Sequence, residues 1–532
     1  MKQLSKFKWH FVWFVLVLVY ITGLFTPLME VDESEYACIS REMLRTGNFT
    51  MVQKHGLDYL DKPPLLFWLS AFSMSFFGIS EWAFKLPSVI FSFLGFFSVY
   101  RLGKFLWDEE VGRFAAVMQG SALAVLMMNQ DVRTDALLCS GVIFSCWQLL
   151  AYEEKGTWWY LFGSILGLAT AMLAKGPIGL MIPGIVLVSQ VLAKRSFGFL
   201  FQWKSLVGIF GLVVLLWPMC SGLYRQFGWL GLRFYFWDQS FGRITGENNW
   251  RNSADGFFFI HTFLWAFLPN SLLLLRAIWN FLSQLKLGIP RNNWIPWVGF
   301  LIPFVVLSFS HYKLPHYINV VIPFAALLTA YDLVRSPIKS AIFLYFHYFL
   351  MLAVLAISFW LNTFILPGLH LNVILGVFFT LLILSFYFLA ALSGAEKWIL
   401  PSAIAISLAF GMMNGNFFHA LAEYDGGRQM GLAMQAYDGP IFSCNVTPYN
   451  AEFYAQKDVI SKPPSEIANL KGQFKVIASE ESLNSLQHNG VNPVKIQKVY
   501  HFSTTMLNWT FLNPNTRLQT LESRYILEVK QN

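Results

Sequence analysis

Charge is scarce in this chain. Asp, Glu, Lys and Arg make up 13% of its 532 residues, about half the share in a soluble globular protein. That deficit excludes an ordinary water-soluble globule. Hydrophobic residues are 56% of the sequence and the mean hydropathy is +0.50, so the chain needs lipid as part of its solvent. Cysteine is scarce too. The five, Cys38, Cys139, Cys146, Cys220 and Cys444, form no Cys-x-x-Cys; this argues against a thiolate metal centre and reads as small buried hydrophobes. The first apolar run, roughly residues 9–28, lacks a small-residue cleavage site and is long for a signal-peptide core, so it reads as a retained first helix. Internal repeats and low-complexity tracts are absent.

What is present fits a membrane. Aromatic residues are 17% of the chain, as expected where Trp and Tyr line the membrane–water interfaces and Phe faces lipid or the bundle core. A net charge of +8 would point a soluble protein toward nucleic acid. Here it reads as cytoplasmic loops retaining Lys and Arg, and nucleic acid is not expected as a partner.

Apolar spans long enough to cross a bilayer are read at 9–28, 86–106, 113–128, 136–153, 157–174, 177–193, 205–222, 257–276, 295–309, 317–334, 340–360, 371–392 and 398–417, about thirteen in all. Lys2, Lys6 and Lys8 place the N-terminus in the cytoplasm, and an odd count then places the C-terminus outside. The expected architecture is an all-α polytopic membrane domain over 1–420, with extracytoplasmic loops at 29–85 and 223–256, followed by a small soluble α/β domain over 421–532 on the same outer side. In the first loop, one helix starts near Asp32–Glu33 and ends at Gly47–Asn48, and a second starts at Pro63–Pro64. Some outside cations break the positive-inside rule: Arg41, Arg45, Lys54 and Lys62 in the first loop, Arg225, Arg233, Arg243 and Arg251 in the long loop, and Lys313. Cations there invite a functional reading.

The chemistry-bearing residues cluster in the outside turns. Asp32-Glu33-Ser34-Glu35-Tyr36 places three carboxylates within four residues, with Asp32 and Tyr36 on one helix face. Helix capping explains such acids as well as a general base does. Tyr59-Leu60-Asp61-Lys62-Pro63-Pro64 puts a cation at the start of a helix, which is either an anion site or a lysine reaching for the headgroups. Asp131-Val132-Arg133-Thr134-Asp135, the Lys175-Gly176-Pro177 turn, Asp238 to Arg243 followed by Gly246-Glu247, and Ser310 to Tyr317 with Lys313 complete the set. Each is weak alone. All of them fall on one membrane face, and carboxylates mixed with Lys and Arg suit a site handling both a phosphate and an acid/base step.

Asp32-Glu33-x-x-Tyr36, Glu42-Met43-Leu44-x-Thr46-Gly47, Asp61-Lys62-Pro63-Pro64-Leu65-x-x-Trp68, Ala174-Lys175-Gly176-Pro177 and Lys313-Leu314-Pro315-x-Tyr317 together resemble the ArnT/PMT-type glycosyltransferases of the GT-C fold. The resemblance spans the whole membrane part. It implies an inner-membrane enzyme of bacteria, with its active site and C-terminal domain on the periplasmic side. The donor it implies is a sugar on a polyprenyl phosphate, and the acceptor a lipid A-like glycolipid, another envelope glycan or a protein hydroxyl. It places the family's first-loop Asp on Asp32 and its phosphate-contacting Lys on Lys62. Tyr59 and Tyr317 become phosphate-side hydroxyls, and the Asp between two later spans becomes Asp135. Asp32, Glu33 and Asp135 are then the expected catalytic carboxylates, with Glu33 and Asp135 stabilising an oxocarbenium-like transition state. Lys62, Tyr59, Lys313, Tyr317, Arg243 and Arg133 are the expected phosphate contacts. The lipid A branch carries Arg where this chain has Glu35, and pairs the acid before the Lys with a loop His that can hold a divalent metal. Here that acid is Asp61, and His261 or His316 would have to supply the partner. A rival class is a polytopic lipid or sugar flippase, which would carry polar residues and broken helices near the midplane of repeated halves.

Overall fold

In lipid, a long apolar segment satisfies its backbone polar groups by forming an α-helix. The computed structural model describes residues 2–199, 201–245, 255–284, 294–368, 371–389 and 392–531, and helices dominate it. Among these residues, seven helices are long and apolar enough to cross a membrane, including Glu81–Leu106, Asp135–Lys155, Trp203–Phe227, Ala341–Ile365 and Glu396–Ala422. Their surroundings differ. The apolar window of Asp135–Lys155 is 89% buried inside the protein, while those of Trp203–Phe227 and Ala341–Ile365 are only 17% buried. Helices that are apolar yet so uncovered need lipid around them, and the chain is a multi-pass membrane protein.

The central helices approach closely where side chains are small. A Cβ on Gly141 would lie 2.8 Å from the Ala171 nitrogen and 2.9 Å from the Gly167 oxygen, so the helices Asp135–Lys155 and Trp158–Lys175 pack almost backbone to backbone.

Two of the expected spans are broken. The 113–128 span is Glu109–Gly120 followed by Leu123–Met127, and the 257–276 span is Phe258–Ala266 followed by Ser271–Gln284. Pro269, which has no N–H to continue a helix, lies in the second gap. The two breaks face each other: the Leu123 N–H donates to the Leu268 carbonyl at 2.9 Å, and the Asn270 side-chain amide reaches the Met118 carbonyl at 3.4 Å. Irregular backbone survives in a membrane when protein supplies its partners in this way. Trp203–Phe227 also runs past the expected end at 222, and the short helices Trp229–Arg233 and Phe241–Thr245 occupy the next stretch of the long loop. Gly246, Glu247 and Arg251 of that loop lie outside the described residues.

The first loop folds as its sequence predicts. A helix spans Asp32–Thr46, with Asp32, Glu33 and Glu35 at its positive end and Gly47 closing it at φ +69°. A two-strand hairpin, Gln53–Lys54 with Leu57–Asp58, leads to the helix Leu65–Phe77.

The C-terminal region holds a five-stranded sheet. Its spatial order is Val459–Ser461, Ile441–Cys444, Gly472–Ser479, Glu522–Gln531, Pro493–His501. The first three strands are parallel, and the last two pairings are antiparallel. Val459–Ser461, at three residues, has no room for an alternating pattern that sequence could show. The sheet rests on the first loop. Arg41 of the first-loop helix reaches Glu452 and Asp458, each at 3.0 Å, and Nε2 of His55 lies 2.7 Å from Glu452. Arg45 pairs with Asp458 at 2.8 Å, and the Lys54 ammonium sits 2.9 Å above the centre of the Tyr449 ring. Arg41, Arg45 and Lys54 are three of the cations that the expected topology puts outside, and here they hold two parts of the protein together.

Candidate active site

Six separate segments meet at one cavity of about 590 Å³. The start of the first-loop helix brings Asp32 and Tyr36, one turn apart on a single face. The link before Leu65–Phe77 brings Asp61, Lys62 and Pro63. The turn before Asp135–Lys155 brings Arg133, Thr134 and Asp135, and the end of Trp158–Lys175 brings Lys175. Gln239 and Ser240 come from the long loop, and Tyr312, His316 and Tyr317 from the turn before Ile322–Arg335.

The ionised groups on this wall are three carboxylates and three cations, matched in pairs. Arg133 bonds to Asp32 and also holds Asp131 at 3.0 Å. Lys62 bonds to Asp61 at 2.5 Å, and Lys175 to Asp135 at 2.7 Å. The pairs differ in depth. The side chains of Lys62 and Asp61 are 20% and 38% exposed, whereas Asp135 is 3% exposed. Unpairing Asp61 returns it largely to water; unpairing Asp135 would leave a buried charge bare, which costs several kcal/mol. An incoming anion therefore takes Lys62 far more cheaply than Lys175. The Lys175 ammonium lies 4.7 Å from the centre of the Tyr317 ring, which adds to its anchoring.

Other expected site residues lie elsewhere. Glu33 is not on the cavity wall. It is fully buried behind it, where Oε1 lies 3.2 Å from the Lys85 ammonium, and it accepts the N–H groups of Met29 at 2.7 Å and Val132 at 2.9 Å. The helical period explains the difference: one residue past Asp32 turns about 100° away from the face that Asp32 and Tyr36 share. Burial pushes its carboxyl up to about 7, against the pull of Lys85 and the two N–H groups. Glu33 thus ties the start of the first-loop helix to the turn that carries Arg133 and Asp135.

Tyr59 lines a small crevice beside the cavity, next to Lys62, Pro63 and Gln239, and its hydroxyl donates to Glu35 at 3.4 Å. Burial, then the charge of Glu35, pushes that hydroxyl well above its ordinary range, so it stays protonated. Glu35 itself faces Lys54, 3.9 Å away, rather than the cavity. Lys313 is buried off the cavity wall and donates to the Asp255 carbonyl at 2.8 Å. Arg243 falls on the helix Phe241–Thr245, and its side chain lies outside the described residues.

The surroundings of Asp61 do not suit a metal. Its carboxylate is engaged by Lys62, and among the described residues it stands in no group of three His, Cys, Asp or Glu. His261 is exposed and packs against Phe258; His316 reaches the cavity but acts electrostatically on Asp135.

Lys175 and Gln239 are among the wall residues that the sequence reading left out of its site. Both stood in segments already singled out, Lys175 in a charged turn and Gln239 in the stretch Asp238 to Arg243, and the Gln239 side chain donates to the Asp61 carbonyl.

A cavity of paired charges at the ends of membrane helices, beneath a structured first loop, defines the class. The protein has the GT-C fold of membrane glycosyltransferases: its structure superposes on the crystal structure of ArnT from Cupriavidus metallidurans bound to undecaprenyl phosphate with a TM-score of 0.75, at 18% identity, covering 97% of each chain. Sequence agrees with fold. Residues 61–219 match the family described as dolichyl-phosphate-mannose-protein mannosyltransferase. The undecaprenyl phosphate-alpha-4-amino-4-deoxy-L-arabinose arabinosyl transferase 2 of Proteus mirabilis is 27% identical over 310 residues, 57% of this chain and 55% of that protein. The corresponding transferase of Pseudomonas paraeruginosa is 28% identical over 339 residues, 60% of this chain and 58% of that protein. The chain thus aligns with just over half the length of these relatives, and the ArnT/PMT-like resemblance read from its motifs holds.

Proposed function

We propose that this protein is an integral membrane glycosyltransferase that moves a sugar from a polyprenyl phosphate to an acceptor on the extracytoplasmic side, with inversion at the anomeric carbon. The observation that carries the proposal is the cavity wall, where Asp32 and the releasable cation Lys62 share one space. The relatives, undecaprenyl phosphate-dependent arabinosyl transferases, support an undecaprenyl phosphate-linked sugar as donor, and the resemblance to ArnT favours a lipid A-like glycolipid over a glycan or a protein as acceptor. The flippase alternative has no such support: the charges gather at helix ends on one face rather than at the midplane of repeated halves, and the relatives are transferases.

The chemistry follows from the depth of each pair. Lys62 leaves Asp61 for the donor phosphate and stays on it as negative charge grows at the departing oxygen. The phosphate leaves without a general acid. Asp32, 42% exposed beside Arg133, accepts the proton of the acceptor hydroxyl or orients it toward the anomeric carbon. Asp135, fixed by Lys175, faces the developing oxocarbenium charge. Arg133 and Tyr317 flank the phosphate path. Asp61 returns to water once Lys62 has moved.

The test is sugar transfer from a radiolabelled polyprenyl-phosphate donor in membranes, offered lipid, peptide and glycan acceptors in turn. Asp32→Asn is expected to lower turnover by about 10²–10⁴-fold, the range of a lost general base. Wild-type turnover by this variant would overturn the role of Asp32, and donor consumption without any acceptor product would overturn the transferase reading.

A further inference from the structure

A second cluster lies away from the cavity, where the membrane part meets the C-terminal sheet. Glu30 precedes the first-loop helix, Asp425 caps the helix Gly426–Met434, and His501 ends the strand Pro493–His501. All three are almost fully buried, at 5%, 2% and 3% exposure. One imidazole nitrogen, Nε2, lies 3.8 Å from Oε2 of Glu30, and the other, Nδ1, lies 3.9 Å from Oδ1 of Asp425. One donor atom from each residue can be chosen so that all lie within 4.8 Å of one another.

Two independent features show that the space is built for something. Glu30 Oε1 and His501 Nδ1 are buried with no hydrogen-bond partner, which is costly for groups removed from water. And the chain has made room for them: a Cβ on Gly427 would lie 2.7 Å from Oε1 of Glu30, and one on Gly426 would lie 2.9 Å from the His501 Cβ. Any other residue at these consecutive positions would push the carboxylate and the imidazole out. The rest of the cluster is already committed. Asp425 accepts the N–H groups of Gly427 at 2.9 Å and Arg428 at 3.3 Å, and the Asn450 amide. Arg524 pairs with Glu522 at 3.9 Å and acts through space on Glu30 and Asp425, and its Nη1 is itself without a hydrogen-bond partner.

We propose that Glu30, Asp425 and His501 bind one divalent transition-metal ion, zinc by preference, which joins the membrane part to the C-terminal sheet. One imidazole nitrogen and two carboxylate oxygens are a ligand set that zinc takes readily. Zinc–ligand bonds of about 2.0–2.2 Å put neighbouring tetrahedral ligands about 3.3–3.6 Å apart; taking one atom from each residue, the three lie within 4.8 Å of one another, so side-chain adjustments of about 1 Å bring them onto one ion. Two carboxylates and a neutral imidazole also cancel the charge of the ion. The proposal does not depend on the transferase reading.

The test uses the full-length protein in detergent, stripped with a chelator and then titrated with Zn²⁺ alone. One tightly held ion per chain and a higher apparent Tm are expected. Glu30→Gln and His501→Gln should each lose that ion, while Asp61→Asn in the cavity should keep it. X-ray absorption of the zinc-loaded wild type should show nitrogen and oxygen neighbours without sulfur, which gives a readout even if a variant folds poorly. Wild type that takes up no zinc, variants that keep the full ion count, loss of the ion in Asp61→Asn, or sulfur in the zinc shell would each overturn the proposal.

Discussion

Glu33→Gln separates two roles that the same residue could have. The structure makes Glu33 a buried tie: its carboxylate meets Lys85 at 3.2 Å and takes two backbone N–H groups, with both ionic side chains at 0% exposure. Removing one member of a buried ion pair typically costs about 3–5 kcal/mol, because the other charge stays behind unpaired. The amide makes matters worse, since it offers one acceptor oxygen where the carboxylate served Met29 and Val132 with two, and a buried N–H left open costs about 1–3 kcal/mol. These costs overlap rather than add. Even so, about 3–5 kcal/mol is a large fraction of the 5–15 kcal/mol that holds a typical domain folded. The expected result is a fall of several degrees in the apparent Tm of purified protein, with turnover per folded molecule kept within about tenfold. Adding Lys85→Met should recover most of the lost stability, because the bare ammonium is then gone. If Glu33 instead touched the substrate, Glu33→Gln would fold as well as wild type and lose its turnover. A variant with unchanged Tm and abolished transfer would refute the tie.

Two more predictions follow from the ion pairs. Lys62→Ala should weaken binding of a polyprenyl phosphate by about 10–150-fold, the equivalent of one charge-assisted hydrogen bond at about 1.5–3 kcal/mol; unchanged binding in a fluorescence titration would remove Lys62 from the phosphate. At the foot of the sheet, burial raises the carboxyl of Glu452, but the hydrogen bond and charge of His55 and the charge of Arg41 outweigh it and leave the group below its ordinary range. The folded state therefore holds the proton less tightly than the unfolded chain, and the contact contributes stability above the usual glutamate range that is lost as pH falls through and below it. Limited proteolysis should show the C-terminal region becoming more easily cut as the solution is acidified below about pH 4.5, and Glu452→Gln should be cut readily at neutral pH.

Much of this was legible in the sequence. The helix Asp32–Thr46 announced itself by three acids at one end and a glycine at the other, and the converging charged turns follow from topology alone. The α/β character of the C-terminal region was readable because strands such as Ile441–Cys444 and Gly472–Ser479 carry short apolar runs that are buried in the sheet. What stayed hidden was pairing. No local pattern tells that Glu33 finds Lys85, 52 positions along the chain. Arg41, Arg45 and Lys54 invited a functional reading because the expected topology puts them outside, against the positive-inside rule; their partners, Glu452, Asp458 and Tyr449, lie some 400 residues away. The broken spans were hidden for a similar reason. Hydropathy averages over a window and passes across a gap whose backbone is satisfied by another gap elsewhere.

The sheet resting on the first loop has a consequence for how such a protein can be altered. Among the described residues, no part of the sheet lines the cavity, and the C-terminal region reaches it through the first loop, chiefly by the helix Asp32–Thr46 and by Glu30 just before it. That helix is a rod of about 22 Å, gripped at Arg41 and Arg45 and carrying Asp32 at its other end. The two parts are therefore exchangeable only as a matched set. A C-terminal region taken from another protein would have to come with a first loop matched to it at the positions of Arg41, Arg45, Lys54 and His55, whereas exposed positions on the outer strands could change without moving Asp32.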